Sequence, residues 1–413
     1  VAGRTSRLPL FGPPVPASAA KLAGHGASFS LRCAGSASSM VNPADVWGGS
    51  TPSLGGVVGS AGLDWASLGF DYVPTVGHMR FVWKNGAWDQ GRFVRDPYIS
   101  VHILGNVFHY GQAIYEGFKV FHLRDGSVGV FVDYMSKRRM DHGCRRFRMP
   151  QVPPELWTRA VDEVIRQNIS FMPPYGSGGA LYMRPFIFGS GPKLGLGPSS
   201  EYTFTVFANP VGSYYGVGKI QALDALVNED YDRAAPRGCG DVKAAGNYAA
   251  DLESMHVAKQ RGYPIGLYLD ASENRYVEEF NTSNFVAITK DGRYLTTDSP
   301  RSVLDSNTNK VLQQLAADLG ITVERRAIDF EAEVETFAEV GAVGTAVVVT
   351  PIRSLTRGER TWQFQEAKTL QTLYERVRAV QQGDIEDRHG WMRKVPLVTE
   401  ESNTSMLSVY PGL

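Results

Sequence analysis

The sequence predicts an α+β protein built from two domains. A chain of 413 residues is longer than one hydrophobic core usually supports. Hairpin-type alternation is interleaved with stretches of helical spacing. A stretch rich in Gly and Tyr, residues 212–219, then interrupts the pattern near the middle of the chain. We therefore expect a small α+β domain at 61–211, an interdomain loop at 212–220 and a large α+β domain at 221–392.

The first domain is expected to begin with an antiparallel hairpin. Asn85 and Gly86 form a two-residue turn signal within the alternating run MRFVWKNGAWDQG. Helical spacing follows at 133–148 and again at 154–170. Two apolar runs, 179–191 and 202–212, are typical of buried strands.

The second domain repeats the mixture of strands and helices. Alternating runs between 266 and 297 predict hairpins. Ser306 to Leu319 has helical spacing, and GTAVVVTPI (344–352) is typical of a strand. A last helix is expected from about Gln365 to Gln382.

Composition excludes several kinds of partner. The counts of basic and acidic residues are equal, 42 each, which argues against binding to nucleic acid or to an anionic membrane. The longest apolar stretch, 340–352, is too short and too interrupted to span a bilayer. The three cysteines and eight histidines show no metal-ligand spacing, so no metal site is expected. Small-molecule chemistry is the interpretation that remains.

The two ends of the chain differ from the rest in composition. No acidic residue precedes Asp45, and Ser, Ala, Gly and Pro dominate with a few Arg. Residues 1–60 therefore have the composition of a transit-peptide-like segment and linker, with an ordinary disordered tail as the alternative. Residues 393–413 form a C-terminal tail for which the sequence suggests no role.

One lysine has unusual surroundings. Lys243 lies in GCGDVKAAGNYAADL (238–252), among glycines and alanines and directly before a predicted helix. A lysine forms a Schiff base only if its amine is unprotonated and a carbonyl group has room to approach, and small neighbours leave that room. A solvated lysine at a helix start is the alternative interpretation.

Two further side chains fit a pyridoxal phosphate site. Such a site needs a carboxylate for the ring nitrogen and a donor for the phenolic oxygen. Strand alternation in RYVEEFN (275–281) places Glu279 on the apolar side with Val277, and Glu278 on the other. Tyr248 follows Lys243 by five residues, early in the predicted helix. A water-facing carboxylate and a core tyrosine are the alternatives.

The phosphate of such a cofactor needs its own donors. Ser306 and Asn307 have the pattern of N-cap residues before an apolar helix face, and a helix N-terminus binds anions through its free amides. Ordinary capping is the alternative. Arg139 borders an apolar stripe and has Gly143 one turn further on, so it is the arginine best placed to turn inward and hold phosphate.

Five ordered blocks resemble a known family. HYGQAIYEGFKVF, LYMRPFIFGSG, VKAAGNYAADL, EEFNTSNFVAI and GTAVVVTPIRS are similar to blocks of the branched-chain amino acid aminotransferases, which are class IV pyridoxal phosphate enzymes. The resemblance runs from about Leu63 to about Met392, and DWASLGFDYVPT looks most like plant and algal plastid members. It implies the two-domain fold type IV, a homodimer, and the plastid stroma as location, with the mitochondrial matrix as the alternative.

The resemblance also implies a role for individual positions. Lys243 would form the Schiff base and move the proton, Glu279 would pair with the ring nitrogen, and Tyr248 would contact the phenolic oxygen. Phosphate would be held by Arg139, Asn307, Thr308, Gly344 and Thr345. The substrate side would be lined by Tyr110, Tyr115, Gly117, Lys119, Tyr182, Arg184, Tyr214, Tyr231 and Ala346, some of them acting across the dimer interface.

The implied activity is transfer of the amino group between branched-chain L-amino acids (Leu, Ile, Val) and 2-oxoglutarate, which yields 2-oxo acids and L-glutamate. A D-amino acid aminotransferase and an aminodeoxychorismate lyase are alternatives within the same class. A catalytically silent scaffold is the alternative from another class, although every catalytic position is filled.

Overall fold

The computed structural model describes residues 56–212 and 220–397. Most of the transit-peptide-like segment, all of the tail beyond residue 397 and Tyr214 lie outside these ranges. Among the described residues, no helix has both the length and the apolarity that crossing a membrane requires.

The described part of the chain contains eight α-helices. In chain order they are α1 Asn106–Tyr110, α2 Asp133–Arg146, α3 Pro154–Gln167, α4 Ala245–Ala249, α5 Leu252–Gln260, α6 Asn307–Asp318, α7 Phe330–Glu333 and α8 Lys368–Gln382.

The first β-sheet lies before residue 212 except for its last strand. Its nine strands within the described ranges are β1 His78–Lys84, β2 Ala87–Trp88, β3 Arg92–Val94, β4 Ala113–Tyr115, β5 Phe118–His122, β6 Val128–Phe131, β7 Ala180–Gly189, β8 Glu201–Val211 and β18 Met392–Val395. The order is β18-β6-β5-β7-β8-β1-β2, with β3 on β1 and β4 on β7. The C-terminal strand therefore completes a sheet that begins more than 300 residues earlier.

The second β-sheet closes on itself. Its nine strands in the described residues are β9 Leu223–Val227, β10 Ile265–Leu269, β11 Val277–Phe280, β12 Asn284–Thr289, β13 Tyr294–Thr297, β14 Val323–Arg326, β15 Phe337–Gly344, β16 Val348–Arg357 and β17 Arg360–Gln363. The order β11-β10-β9-β16-β15-β12 returns to β11, which pairs with β12. A ring of six strands results, because every strand in it has a partner on both sides.

The hydrophobic cores follow this layout. One cluster packs α2 and α3 against the first sheet, with Trp157, Ile165 and Phe204 fully buried. A second includes α6 and α8 together with strand residues such as Val286 and Val349. A third fills the ring of the second sheet. The three clusters hold the helices and the strands of both sheets in place.

Several predicted elements are confirmed. Lys84 pairs with Ala87 across the Asn85-Gly86 turn, whose two residues have φ values of 54° and 87°. The helix predicted from Ser306 spans Asn307–Asp318, and the Ser306 side chain accepts the backbone N–H of Asn309 at 3.2 Å. The α+β fold class is confirmed as well. The domain boundaries at 211 and 221 stay a prediction.

Candidate active site

Lys243 lies in the segment directly before α4, which is joined to β4 of the first sheet by backbone hydrogen bonds. The Tyr115 N–H donates to the Lys243 carbonyl at 3.1 Å, and Ala244 forms a β-bridge with Ile114. The Lys243 amine donates to the hydroxyl of Tyr248, Nζ to Oη 3.0 Å. Its Nζ also lies 4.9 Å from the centre of the Tyr115 ring. Two tyrosines thus flank the amine.

A cavity of about 500 Å³ opens beside this amine. Its volume lies in the range of pockets that hold a cofactor or a small substrate. Eleven of the residues predicted for the site line it: Tyr115, Gly117, Arg139, Tyr182, Arg184, Lys243, Tyr248, Glu279, Gly344, Thr345 and Ala346. The structure therefore brings most of the predicted site into one place.

Glu279 presents a buried carboxyl group to the cavity. Its side chain is 3% exposed. The Asn284 amide donates to Oε2 at 2.8 Å, and an Arg233 nitrogen lies 3.6 Å from Oε1. Burial raises the pKa of Glu279 to about 7, although Arg233 and the hydrogen bonds from Leu304 N–H and Asn284 act in the opposite direction. A group of this kind is suited to a hydrogen-bonded partner that carries positive charge.

A register shift in β11 places this carboxyl group. Leu267 pairs with Phe280 and Leu269 with Val277, so β11 has one more residue than β10 over this stretch. Val277 and Phe280 both belong to the core of the ring, whereas Glu279 lines the cavity. The expected sharing of one face by Val277 and Glu279 is therefore wrong, because a β-bulge interrupts the alternation. Glu278 is also buried, at 2% exposure.

Arg139 is held at the cavity by a buried carboxylate. Its Nε donates to Glu116 Oε1 at 2.7 Å and its Nη2 to Oε2 at 2.8 Å. Its Nη1 donates to the Asp305 carbonyl at 3.1 Å, directly before the N-cap of α6. The Glu116 side chain is fully buried and that of Arg139 is 8% exposed. The Glu116 carboxylate outweighs the effect of burial and raises the pKa of Arg139.

The opposite wall is aromatic and cationic. The Arg184 guanidinium lies 4.8 Å from the Tyr115 ring centre and 5.2 Å from that of Tyr182. Gly117 faces Tyr182 closely, since an ideal Cβ at this position would lie 1.9 Å from the Tyr182 hydroxyl. Burial, and after it the neighbouring Tyr248, raises the pKa of Tyr115. This wall combines apolar surface with donors for a carboxylate.

Five predicted residues lie outside the cavity lining, and Tyr214 lies outside the described residues. Asn307 and Thr308 are buried in the first turn of α6, next to Ser306, which does line the cavity. Lys119 is buried and donates to the Ala346 carbonyl. Tyr110 and Tyr231 are 40% and 37% exposed. The roles assigned to these residues stay predictions.

The sequence analysis missed several polar residues at the site. Among them are Arg233, Glu116 and Asn284. Glu116 could have been found from the sequence, because an acidic residue inside the strand-like run AIYEGFKVF indicates a buried carboxylate with a partner. Arg233 could not, since its loop has no periodic pattern.

Comparison with known proteins identifies the family of this chain. The family described as amino-transferase class IV matches residues 113–355. The chain belongs to this family. The branched-chain-amino-acid aminotransferase of Helicobacter pylori is 38% identical over 81% of this chain and 98% of its own length. The chloroplastic branched-chain-amino-acid aminotransferase 2 of Arabidopsis thaliana is 37% identical over 81% of this chain and 86% of its own.

A solved structure has the same fold. The crystal structure of the branched-chain amino acid aminotransferase of Escherichia coli superimposes with a TM-score of 0.63 at 28% identity. The alignment covers 76% of this chain and 99% of that one. The class IV fold expected from the sequence is confirmed.

Proposed function

We propose that this chain is a transaminase that moves the amino group between the branched-chain L-amino acids Leu, Ile and Val and 2-oxoglutarate, with pyridoxal 5′-phosphate bound at Lys243. The observation that carries the proposal is that Lys243, Tyr248, Glu279 and Arg139 all line one cavity. The names of the bacterial and plant relatives support the choice of substrate.

The residues of the cavity fit this cofactor. Lys243 has no carboxylate within ion-pair distance in the described structure, so its amine is not committed to a salt bridge. Glu279 offers a buried carboxyl group for a ring nitrogen. Arg139 and the N-terminus of α6, with Gly344 and Thr345 on a neighbouring turn, offer cationic and amide donors for a phosphate.

Pyridoxal phosphate supplies an aldehyde that bonds to amines and a ring that withdraws electrons from the substrate. The protein supplies the remaining chemistry. Glu279 would hold the ring nitrogen in its protonated form, and Tyr248 would donate to the phenolic oxygen. In its unprotonated form, the Lys243 amine would accept the Cα proton of the amino acid in the first half-reaction and would deliver a proton to Cα of the 2-oxo acid in the second.

The aromatic wall accounts for dual substrate specificity. Rings of Tyr115 and Tyr182 provide apolar surface for a branched side chain. The Arg184 guanidinium lies over both rings and its Nη2 donates to the Tyr182 hydroxyl at 3.3 Å. A wholly apolar pocket would leave the second carboxylate of 2-oxoglutarate unpaired, and Arg184 provides its partner.

Covalent labelling tests the cofactor assignment. The purified protein should absorb visible light, and borohydride reduction followed by peptide mapping should label Lys243. Lys259 lines the same cavity and serves as an internal control that should remain unlabelled. Label at Lys259 or at no lysine would overturn the assignment.

A donor panel tests the substrate. With 2-oxoglutarate as acceptor, L-Leu, L-Ile and L-Val should be turned over, and their D-enantiomers should not. Activity with D-amino acids would support the D-amino acid aminotransferase alternative, and formation of pyruvate from aminodeoxychorismate would support the lyase. Absence of all three activities in a cofactor-loaded protein would support a silent scaffold.

We also propose that the protein is a homodimer. Loops around α1 and after β7 carry six exposed large apolar side chains: Tyr98, Ile103, Phe108, Tyr110, Leu194 and Leu196. The two loops are joined, since Lys193 N–H donates to the Leu104 carbonyl at 2.9 Å and the Tyr110 hydroxyl donates to the Leu194 carbonyl. A group of exposed large apolar side chains on neighbouring loops is typical of a protein interface.

Sedimentation of a charged variant tests the dimer. The double variant Ile103→Asp, Leu196→Asp should sediment as a monomer, because charge is then buried at the interface. Tyr72→Asp is the control, since Tyr72 is 69% exposed and lies outside these two loops. A dimer in the double variant would contradict this interface.

Location in the plastid is the remaining proposal. The chloroplastic relative and the composition of residues 1–60 support it. A fluorescent protein fused after residue 60 should accumulate in plastids of plant or algal cells. Accumulation in mitochondria would support the alternative location.

A further inference from the structure

Lys119 is buried, and its amine contacts the backbone of the cavity wall. It lies on β5, where it pairs with Tyr182 of β7, and is 6% exposed. Its Nζ donates to the Ala346 carbonyl at 2.6 Å. No carboxylate among the described residues forms an ion pair with it. The contacts of this buried amine are the hydrogen bond to the turn and the Phe70 ring, whose centre lies 5.7 Å from Nζ.

That turn has a strained backbone. Gly344 ends β15, residues 345–347 connect it to β16 along the cavity, and Val348, the first residue of β16, has φ of 67°. A β-branched residue rarely adopts this left-handed conformation. The Val349 N–H donates to the Val347 carbonyl at 2.9 Å, which closes a three-residue turn at Val348. Strain of this kind persists only where surrounding contacts hold it.

We propose that Lys119 is a positioning residue that holds the 344–347 turn in place through the Ala346 carbonyl, rather than a residue that contacts the substrate. The inference rests on the proposed function, which places Gly344 and Thr345 at the cofactor's phosphate. Two observations support it: the Lys119 amine is directed at the turn, and Lys119 is absent from the cavity lining although its strand partner Tyr182 is present.

The test compares three variants with the wild-type holoenzyme. Lys119→Met removes the donor and keeps the apolar stem, Lys119→Arg keeps a donor, and Lys84→Met is the matched control on an exposed strand position, 57% accessible. If Lys119→Met does not fold, Lys119→Gln withdraws the amine from Ala346 with a milder change. The measurements are the rate of cofactor loss on dialysis, KM for 2-oxoglutarate and hydrogen exchange of residues 344–349.

Lys119→Met should lose cofactor about tenfold faster, the effect of one hydrogen bond at the upper end of its usual strength. Hydrogen exchange at 344–349 should rise, and KM for 2-oxoglutarate should stay within about twofold. Lys119→Arg should restore protection of the turn, and Lys84→Met should match the wild type.

Two results would contradict the proposal. Unchanged exchange at 344–349 in Lys119→Met would show that the amine does not hold the turn. A rise of tenfold or more in KM for 2-oxoglutarate, with cofactor loss unchanged, would show that Lys119 contacts substrate. Failure of the proposed function is distinguishable, because the wild type would then bind no cofactor while the exchange experiment would still report on the turn.

Discussion

Two adjacent buried carboxyl groups, Glu278 and Glu279, differ in what they face. Burial raises the pKa of each to about 7, and only Glu279 lines the cavity. The unfolded chain releases the Glu279 proton near pH 4.5, while the folded chain keeps it to about pH 7. The contribution of the Glu279 carboxyl group to the free energy of unfolding is therefore complete below pH 4.5. It falls as the pH rises from 4.5 to about 7 and is lost above pH 7.

Glu279→Gln should remove this pH dependence in protein freed of cofactor. Between pH 5 and pH 8 the wild type should lose up to about 3 kcal/mol more unfolding free energy than the variant. Urea unfolding at a series of pH values measures the difference. If the free energy of unfolding changed equally with pH in the two proteins, the Glu279 carboxyl would not be protonated in the folded state.

Glu278→Gln is the matched control for catalysis. It should reduce the same pH dependence of stability, because Glu278 is buried to the same degree. It should leave turnover with L-Leu largely unchanged, whereas Glu279→Gln should lower kcat about 100-fold or more. Similar losses of kcat in both variants would argue against a specific role for Glu279.

Gly117→Ala should disturb the substrate wall. An added Cβ would lie 1.9 Å from the Tyr182 hydroxyl, so Tyr182 must move. We expect KM for 2-oxoglutarate and L-Leu to rise about tenfold, a cost of about 1.4 kcal/mol in binding. Gly246→Ala is the control, because an added Cβ there meets no atom within 4 Å. Unchanged KM in Gly117→Ala would contradict the assignment of this wall.

At the scale of secondary structure, the N-terminus of α6 has a testable dual role. Ser306→Ala removes the side-chain acceptor for the Asn309 N–H and should lower the free energy of unfolding by about 1 kcal/mol. It should also speed cofactor loss, because the amides at the phosphate side become less ordered. Ser306→Asn keeps a capping acceptor and should restore both properties. Faster cofactor loss without lower stability would separate the two roles.

The sequence predicted the elements that local chemistry determines. The Asn85-Gly86 turn, the Ser306 cap and the helices before and after it follow from short-range patterns. The position of Glu279 on β11 does not, because the bulge that places it depends on pairing with β10. The strand at 392–395 was missed for a similar reason, since its four residues form a strand only through pairing with β6.

Resemblance supplied what local patterns could not. Single residues such as Lys243 and Arg139 had ordinary alternatives until five ordered blocks were considered together. The buried partners of the site, Glu116 and Arg233, remained hidden because their contacts come from residues distant in the chain, such as Arg139 and Glu279. Contacts between residues distant in the chain can be identified only once the fold is known.

At the scale of the whole molecule, Arg393 links the C-terminal strand β18 to helices α2 and α3 by ion pairs. It donates to Asp133 through Nε at 3.0 Å and to Asp162 through Nη1 at 2.8 Å. Both carboxylates are largely buried. Arg393→Gln should lower the free energy of unfolding by about 3 kcal/mol, because buried Asp133 loses its ion-pair partner and Asp162 keeps only Arg166, at 4.0 Å. Thermal or urea unfolding measures this loss.

Lys394→Gln is the control for that variant. Lys394 lies next to Arg393 on the same strand and pairs with Asp125, and both of these side chains are more than half exposed. The expected change is much smaller than that of Arg393→Gln, because solvent screens an exposed ion pair. A loss as large as that of Arg393→Gln would show that the strand itself, rather than the buried charges, is sensitive to substitution.

The pairing of Met392–Val395 with Val128–Phe131 also constrains biosynthesis. During translation the apolar strand VGVF (β6) emerges from the ribosome some 260 codons before β18, the strand that pairs with its edge. Val130 and Arg393 are paired residues of the two strands. An uncovered apolar strand edge invites pairing with other chains. We therefore expect prematurely terminated products that lack the last strand to aggregate more readily than the full chain.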